Sequence, residues 1–174
     1  INECRDRQIA VLPPSVNISH LNFTPAGEGI RFGLGAIKNV GAGAVEAIVK
    51  VRQADGPFTT LYDFCERVDM QAVNRRVIES LIRCGAMDEL KGTRSQKMAI
   101  LDAAIETGLR VARDRNSGQS GLFGDMFGAA TEKEQEAELP NVPDWDAPQK
   151  LTGEKELLGF YVTGHPLDQY KDKV

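Results

Sequence analysis

The sequence predicts a mostly α fold: a short N-terminal β-ribbon, a compact helical domain, an acidic linker and a final helix. Three observations carry this. Apolar residues alternate near the start, they recur at helical spacing from Ile37 to Ile105, and a run of acid and small residues separates that body from a last amphipathic stretch. The 174 residues, 41% hydrophobic and 26% charged, suffice for one folded core with an appendage.

Gln8 to Leu12, closed by Pro13 and Pro14, reads as a strand. Ile30, Phe32 and Leu34 alternate with Arg31 and Gly33 as a second one, and Pro25, Ala26, Gly27, Glu28 and Gly29 supply a turn before it. Val45, Ile48 and Val49 then share a face of a helix running to about Arg52, with Gly41, Ala42 and Gly43 at its start. Leu61, Phe64, Cys65 and Val68 define the next helix, and Thr60 and Asp63 are spaced as a capping box. A third buries Val77, Ile78, Leu81 and Ile82 and stops at Gly85, a left-handed C-cap. The fourth starts at Thr93, with Gln96 three residues on, and turns Met98, Leu101 and Ile105 inward, which completes a bundle of four short helices. Asp146 and Pro148 open a final helix with Leu151, Leu157 and Leu158 on its apolar side and Gly159 at its end.

The net charge of -4 is unevenly spread. Residues 1–113 carry 15 Lys/Arg and 13 Asp/Glu, whereas 114–148 carry 2 and 8. Glu132, Glu134, Glu136 and Glu138 lie among few large apolar residues, so 114–146 reads as a flexible linker. Within it, Gln119, Leu122 and Phe123 form a Gln-x-x-Leu-Phe peptide flanked by Gly, Ser and Asn, built to dock two apolar side chains into a partner's pocket. Asp125, Met126 and Phe127 offer accessory contacts.

Two helix–helix turns look alike. Ile37, Lys38, Asn39, Val40, Gly41, Ala42 and Gly43 resemble the helix-hairpin-helix motif, in which glycines allow left-handed dihedrals and let backbone amides approach a phosphate at a helix N-terminus. Cys84, Gly85 and Ala86, followed by Gly92, Thr93 and Arg94, form a degenerate second copy, and Lys38, Lys91, Arg94 and Lys97 add charge. Duplex DNA held this way is bound through its backbone, without base readout and with salt sensitivity.

Catalytic and metal-binding constellations do not emerge. His20 and His165 lie apart with no nucleophile beside them, carboxylates do not cluster for two metal ions, and Cys4, Cys65 and Cys84 are too far apart to act as a paired ligand set or a disulfide framework. No apolar run approaches a membrane span and no signal peptide is evident, which points to a reduced, cytoplasmic setting; a chain starting at Ile1 reads as a piece of something longer.

The order Val11 to Asn17, Ile30 to Gly41, Asn74 to Gly85, Gln119 to Phe123, and Gly159-Phe160-Tyr161 to Gly164-His165-Pro166-Leu167 resembles the bacterial replicative DNA polymerase III alpha subunit along nearly the whole chain. The resemblance implies that 1–35 closes the fingers domain and that 36–113 is a tandem helix-hairpin-helix domain lying along duplex DNA. It further implies that 114–146 carries the peptide that enters the sliding clamp, and that 147–174 leads toward an oligonucleotide-binding domain. The DNA contacts then fall to Lys38, Val40, Gly41, Ala42, Gly43, Gly85, Lys91, Thr93 and Arg94, and the partners are the clamp, duplex DNA and other replicase subunits. By the same resemblance the parent protein is a DNA-directed DNA polymerase using magnesium, its catalytic aspartates lie upstream, and this segment carries no cofactor. Asn39 departs from the family, which often has a small residue there. A different reading of the paired hairpins is a duplex-binding scaffold of a repair or recombination protein.

Overall fold

The structure, a computed structural model, describes residues 9–116 and 139–164. The described residues open with a three-stranded sheet of β1 (Ala10–Leu12), β2 (Thr24–Ala26) and β3 (Gly29–Arg31), in the order β1-β3-β2. β1 runs parallel to β3, with Val11 opposite Ile30, and β2 runs antiparallel to it, with Pro25 opposite Ile30. Three residues expected in the turn, Pro25, Ala26 and Gly29, are therefore strand. The proline is tolerated because β2 is an edge strand and needs no outward donor, and Gly27 alone takes the left-handed turn geometry, with φ +61°.

The second expected strand stops at Arg31. Phe32 still donates to Leu12 O, but Leu34 and Gly35 donate to His20 O and Leu21 O, and Leu34–Ala36 closes into a 3-10 turn. Here the chain passes so near residues 21–22 that a Cβ on Gly33 would lie 2.5 Å from the Asn22 carbonyl carbon. Phe32, Gly33 and Leu34 are all buried, so their burial comes from this crossing and not from strand alternation.

Five helices follow among the described residues: α1 (Ala42–Asp55), α2 (Leu61–Arg67), α3 (Arg75–Arg83), α4 (Arg94–Asn116) and α5 (Ala147–Leu158). α1 buries Val45 and Ile48 as its spacing predicts but leaves Val49 half-buried; it also buries Ala44 and Arg52, whose guanidinium donates to Val16 O and Ile18 O and fastens the N-terminal segment to the helix. At α2, Thr60 Oγ1 accepts from Asp63 N, but the Asp63 carboxylate accepts from Thr59 N, so the box closes one residue early. α3 buries Val77, Ile78, Leu81 and Ile82 and ends at Gly85, with φ +86°. α4 is not short: it runs 23 residues, to Asn116, beyond the expected start of the linker. α5 has a full capping box between Asp146 and Gln149 and ends at left-handed Gly159.

One core joins these parts. It includes Val16 and Phe32 from the N-terminal segment, the inner faces of α1 to α4, and Leu157, Leu158 and Phe160. The Phe32 and Phe160 rings lie 5.3 Å apart, and Val16 N donates to Ala86 O. The β-sheet and α5 are therefore layers of the helical body.

Cys65 and Cys84 sit inside this core, and burial pushes both thiols up to about 12 from 9.0. A raised folded-state value means stability that is complete below about pH 9 and declines as pH rises toward 12, because only the unfolded chain releases these protons. Both thiols are expected to react with a thiol reagent no faster than the chain opens. Labelling followed by peptide mass mapping checks this, and rapid modification of either in the native protein contradicts it.

Candidate nucleic-acid interface

The first hairpin is built from a pinned loop and an open helix start. Ile37 and Val40 are buried, Ile37 N donates to Leu34 O and Val40 N to Ile37 O, which fold the loop on itself. Lys38 N donates to Leu157 O, 3.0 Å away in α5. Asn39 has φ +72° and donates from Nδ2 to Ser80 Oγ at 3.1 Å. The left-handed residue of this turn is therefore Asn39 and not a glycine: Gly41, the N-cap, has φ -82° and ψ 163°.

Gly41, Ala42 and Gly43 are exposed, and a Cβ at Gly41 or Gly43 would meet nothing within 4 Å. The N-cap supplies no side-chain acceptor and the first turn holds no acidic residue. The first-turn N–H groups of a 14-residue helix thus face outward at the positive end of its dipole, with no bulk between them and an approaching anion. The Lys38 side chain is exposed beside them, and Val40 contributes its packing beneath the turn.

The second hairpin, between α3 and α4, has the opposite character. Thr93 and Gln96 satisfy the start of α4 reciprocally: Thr93 N donates to Gln96 Oε1 at 2.9 Å and Gln96 N to Thr93 Oγ1 at 3.2 Å. Gln96 Nε2 also donates to Pro140 O, and the Leu139 side chain covers Gly92. Gly85 is required from inside, because a Cβ there would run into the Arg94 guanidinium.

Arg94 itself is withdrawn from the surface. Only 4% exposed, it donates to Asp88 at 2.6 Å, to Glu154 at 3.2 Å and to Arg83 O. Burial pulls its pKa down, but the hydrogen bonds and charges of Asp88 and Glu154 outweigh that, so the net shift is upward. Lys97 is fully buried, its ammonium donating to Gly92 O, and burial lowers its pKa. Neither residue joins the outward-facing charge expected of it; Lys91 remains exposed, anchored through its backbone N–H to Thr59 O. Of the expected DNA-contacting residues, the structure gathers Lys38 to Gly43 at one open turn and assigns Gly85, Thr93 and Arg94 to internal structure.

Glu154 is the residue that sequence reasoning missed. It is fully buried in α5, and its carboxylate accepts from Arg94, Val162 N, Thr163 N and Thr163 Oγ1. A signal existed: Glu154 falls three residues after Leu151 and four before Leu158, on the apolar stripe itself.

Gln119, Leu122, Phe123, Met126, Phe127 and His165 lie outside the described residues. Among the described residues no group of three or more His, Cys, Asp or Glu gathers as a metal site, and no helix is long and apolar enough to cross a membrane.

Residues 8–97, which include both hairpins, match the family described as "Helix-hairpin-helix motif". Three relatives are each called DNA polymerase III subunit alpha. That of Pseudomonas aeruginosa is 42% identical over 190 residues, covering 100% of this chain and 16% of the relative. That of Vibrio cholerae is 42% identical over 171 residues, 98% and 15% respectively, and that of Saccharopolyspora erythraea 42% over 169 residues, 95% and 14%. The chain spans about one-sixth of the length of the relatives it matches.

Proposed function

Given that the chain belongs to the helix-hairpin-helix family and is similar over its whole length to a segment of DNA polymerase III alpha subunits, we propose that it holds duplex DNA and the sliding clamp for a replicative polymerase. Nucleotidyl transfer with magnesium belongs to the whole protein, where this segment supplies grip and tethering alongside other replicase subunits. The division into the end of a fingers domain (1–35), a hairpin domain (36–113), a linker (114–146) and a connector (147–174) belongs to the same proposal.

The observation that carries the DNA reading is the open, uncapped start of α1, where Gly41 to Gly43 leave the backbone bare. Amides there take one or two phosphates without reading bases. Lys38 and Lys91 supply the mobile charge in place of Arg94 and Lys97. Fluorescence anisotropy with mixed-sequence duplexes is expected to give weak binding, insensitive to sequence, with log K falling against log salt at a slope of about -1 to -2. Lys38→Ala should make that slope shallower by about one. Binding that stays flat from low to high salt would remove phosphate contact as the mechanism.

The clamp reading rests on the sequence of Gln119 to Phe123: Leu122 and Phe123 fill an apolar pocket and Gln119 fixes register. Calorimetry of the chain with the clamp is expected to give a dissociation constant of about micromolar size, as for a short peptide in one pocket. Phe123→Ala and Gln119→Ala should each weaken it, the former by about tenfold or more. Unchanged binding in both variants would retire this peptide, and a chain that grips DNA without a clamp would favour the repair-scaffold reading.

A further inference from the structure

Asn39 is the one non-glycine residue with positive φ among the described residues, at +72°. A left-handed asparagine costs little, but the position is occupied for a reason that its backbone alone does not supply. Its side chain reaches out of the first hairpin to Ser80 Oγ, 3.1 Å away on α3, and Ser80 is only 3% exposed. α3 is the leading helix of the second hairpin, so this bond ties one turn to the other.

The neighbouring backbone is fixed on both sides. Lys38 N is held by Leu157 O, Val40 N by Ile37 O, and the Val40 side chain is buried. Between these anchors the orientation of the Asn39 peptide plane sets where Gly41 to Gly43 point, and the side where a Cβ would stand on Gly41 or Gly43 is open space that offers no packing to correct an error. A loop that must present amides without side-chain support needs its geometry set from beneath.

We infer that Asn39 is a positioning residue, whose left-handed backbone and Nδ2 bond to Ser80 Oγ hold the Gly41–Gly43 amides in the conformation that receives a DNA phosphate. The inference rests on the duplex-binding reading above. Asn39 touches no phosphate through its own side chain, which is engaged by Ser80. The second hairpin, whose own helix start is closed by Thr93 and Gln96, thereby serves the first as its scaffold.

The test uses Asn39→Gly, which keeps the left-handed backbone and removes the bond, Ser80→Ala, which removes only the acceptor, and the double variant. Anisotropy with a fluorescein-labelled 20-base-pair duplex at low salt is expected to show each single variant binding about fivefold more weakly, the worth of one hydrogen bond. The double variant should bind no more weakly than the worse single one, because both remove the same contact. The salt slope should match wild type, since no phosphate contact is deleted, and the Gly41 and Gly43 amide resonances should move in both single variants while the melting temperature falls by only about 2–4 °C, the cost of one hydrogen bond. Wild-type affinity in both single variants, or losses that multiply in the double one, overturns the inference and leaves the duplex-binding reading standing. If the unaltered chain shows no salt-dependent binding, both fall together.

Discussion

Glu154→Ala is expected to lower the unfolding free energy by about 3–5 kcal/mol, the usual cost of removing one partner from a buried ion pair. Glu154 is fully buried and both its oxygens accept only from donors: Oε1 from Arg94 and Thr163 Oγ1, Oε2 from Val162 N and Thr163 N. The variant leaves the Arg94 guanidinium with only Asp88 and the Arg83 carbonyl, and takes the acceptor from the Val162 and Thr163 amides. Glu154→Gln offers little relief, because one of its two head atoms would turn an N–H toward a donor. Urea denaturation reads the loss, and a cost below about 1 kcal/mol would show that the cluster is not what fastens α5 to the body.

Gly108→Ala is expected to cost about 3 kcal/mol, the upper part of the range for inserting bulk into a packed interior. Gly108 lies where α4 crosses α2, the most extensively packed pair of helices, and an added Cβ would run into the Cys65 carbonyl oxygen. That neighbour is backbone inside a helix and has no way to swing aside. Gly43→Ala supplies the contrast, since its Cβ would enter open space in the first turn of α1. There alanine should raise stability by about 0.5–1 kcal/mol through helix propensity, while crowding the phosphate and weakening duplex binding. Thermal melts of both variants beside anisotropy separate the roles, and equal destabilisation by the two would refute the distinction.

Elements that one stretch of chain can specify were legible in advance. The α3 stripe of Val77, Ile78, Leu81 and Ile82, the stop at Gly85 and the Asp146–Pro148 helix start depend on neighbours within a turn or two, and each is found as expected. What lay beyond reach depends on distant partners. Parallel pairing of Ala10 with Gly29 is not announced by either strand, and it turned the expected ribbon into a mixed sheet. Arg94 reads as an ordinary surface cation until Glu154, 60 residues later, arrives beside it. The hairpin candidates differed for the same reason: Gly41 and Gly43 stand open while Gly85 and Gly92 are covered by Arg94 and Leu139, and spacing alone does not distinguish a glycine left open from one that admits its own protein.

The docking of residues 139–140 at the start of α4 has a mechanical consequence. α4 ends at Asn116, about 34 Å away at 1.5 Å per residue, while Leu139 and Pro140 are fastened at Gly92 and Gln96 at its opposite end. Asn116 and Leu139 therefore sit at opposite tips of one rod. Tension applied between these two points runs along the axis of one stiff strut instead of peeling a lone tail from its root.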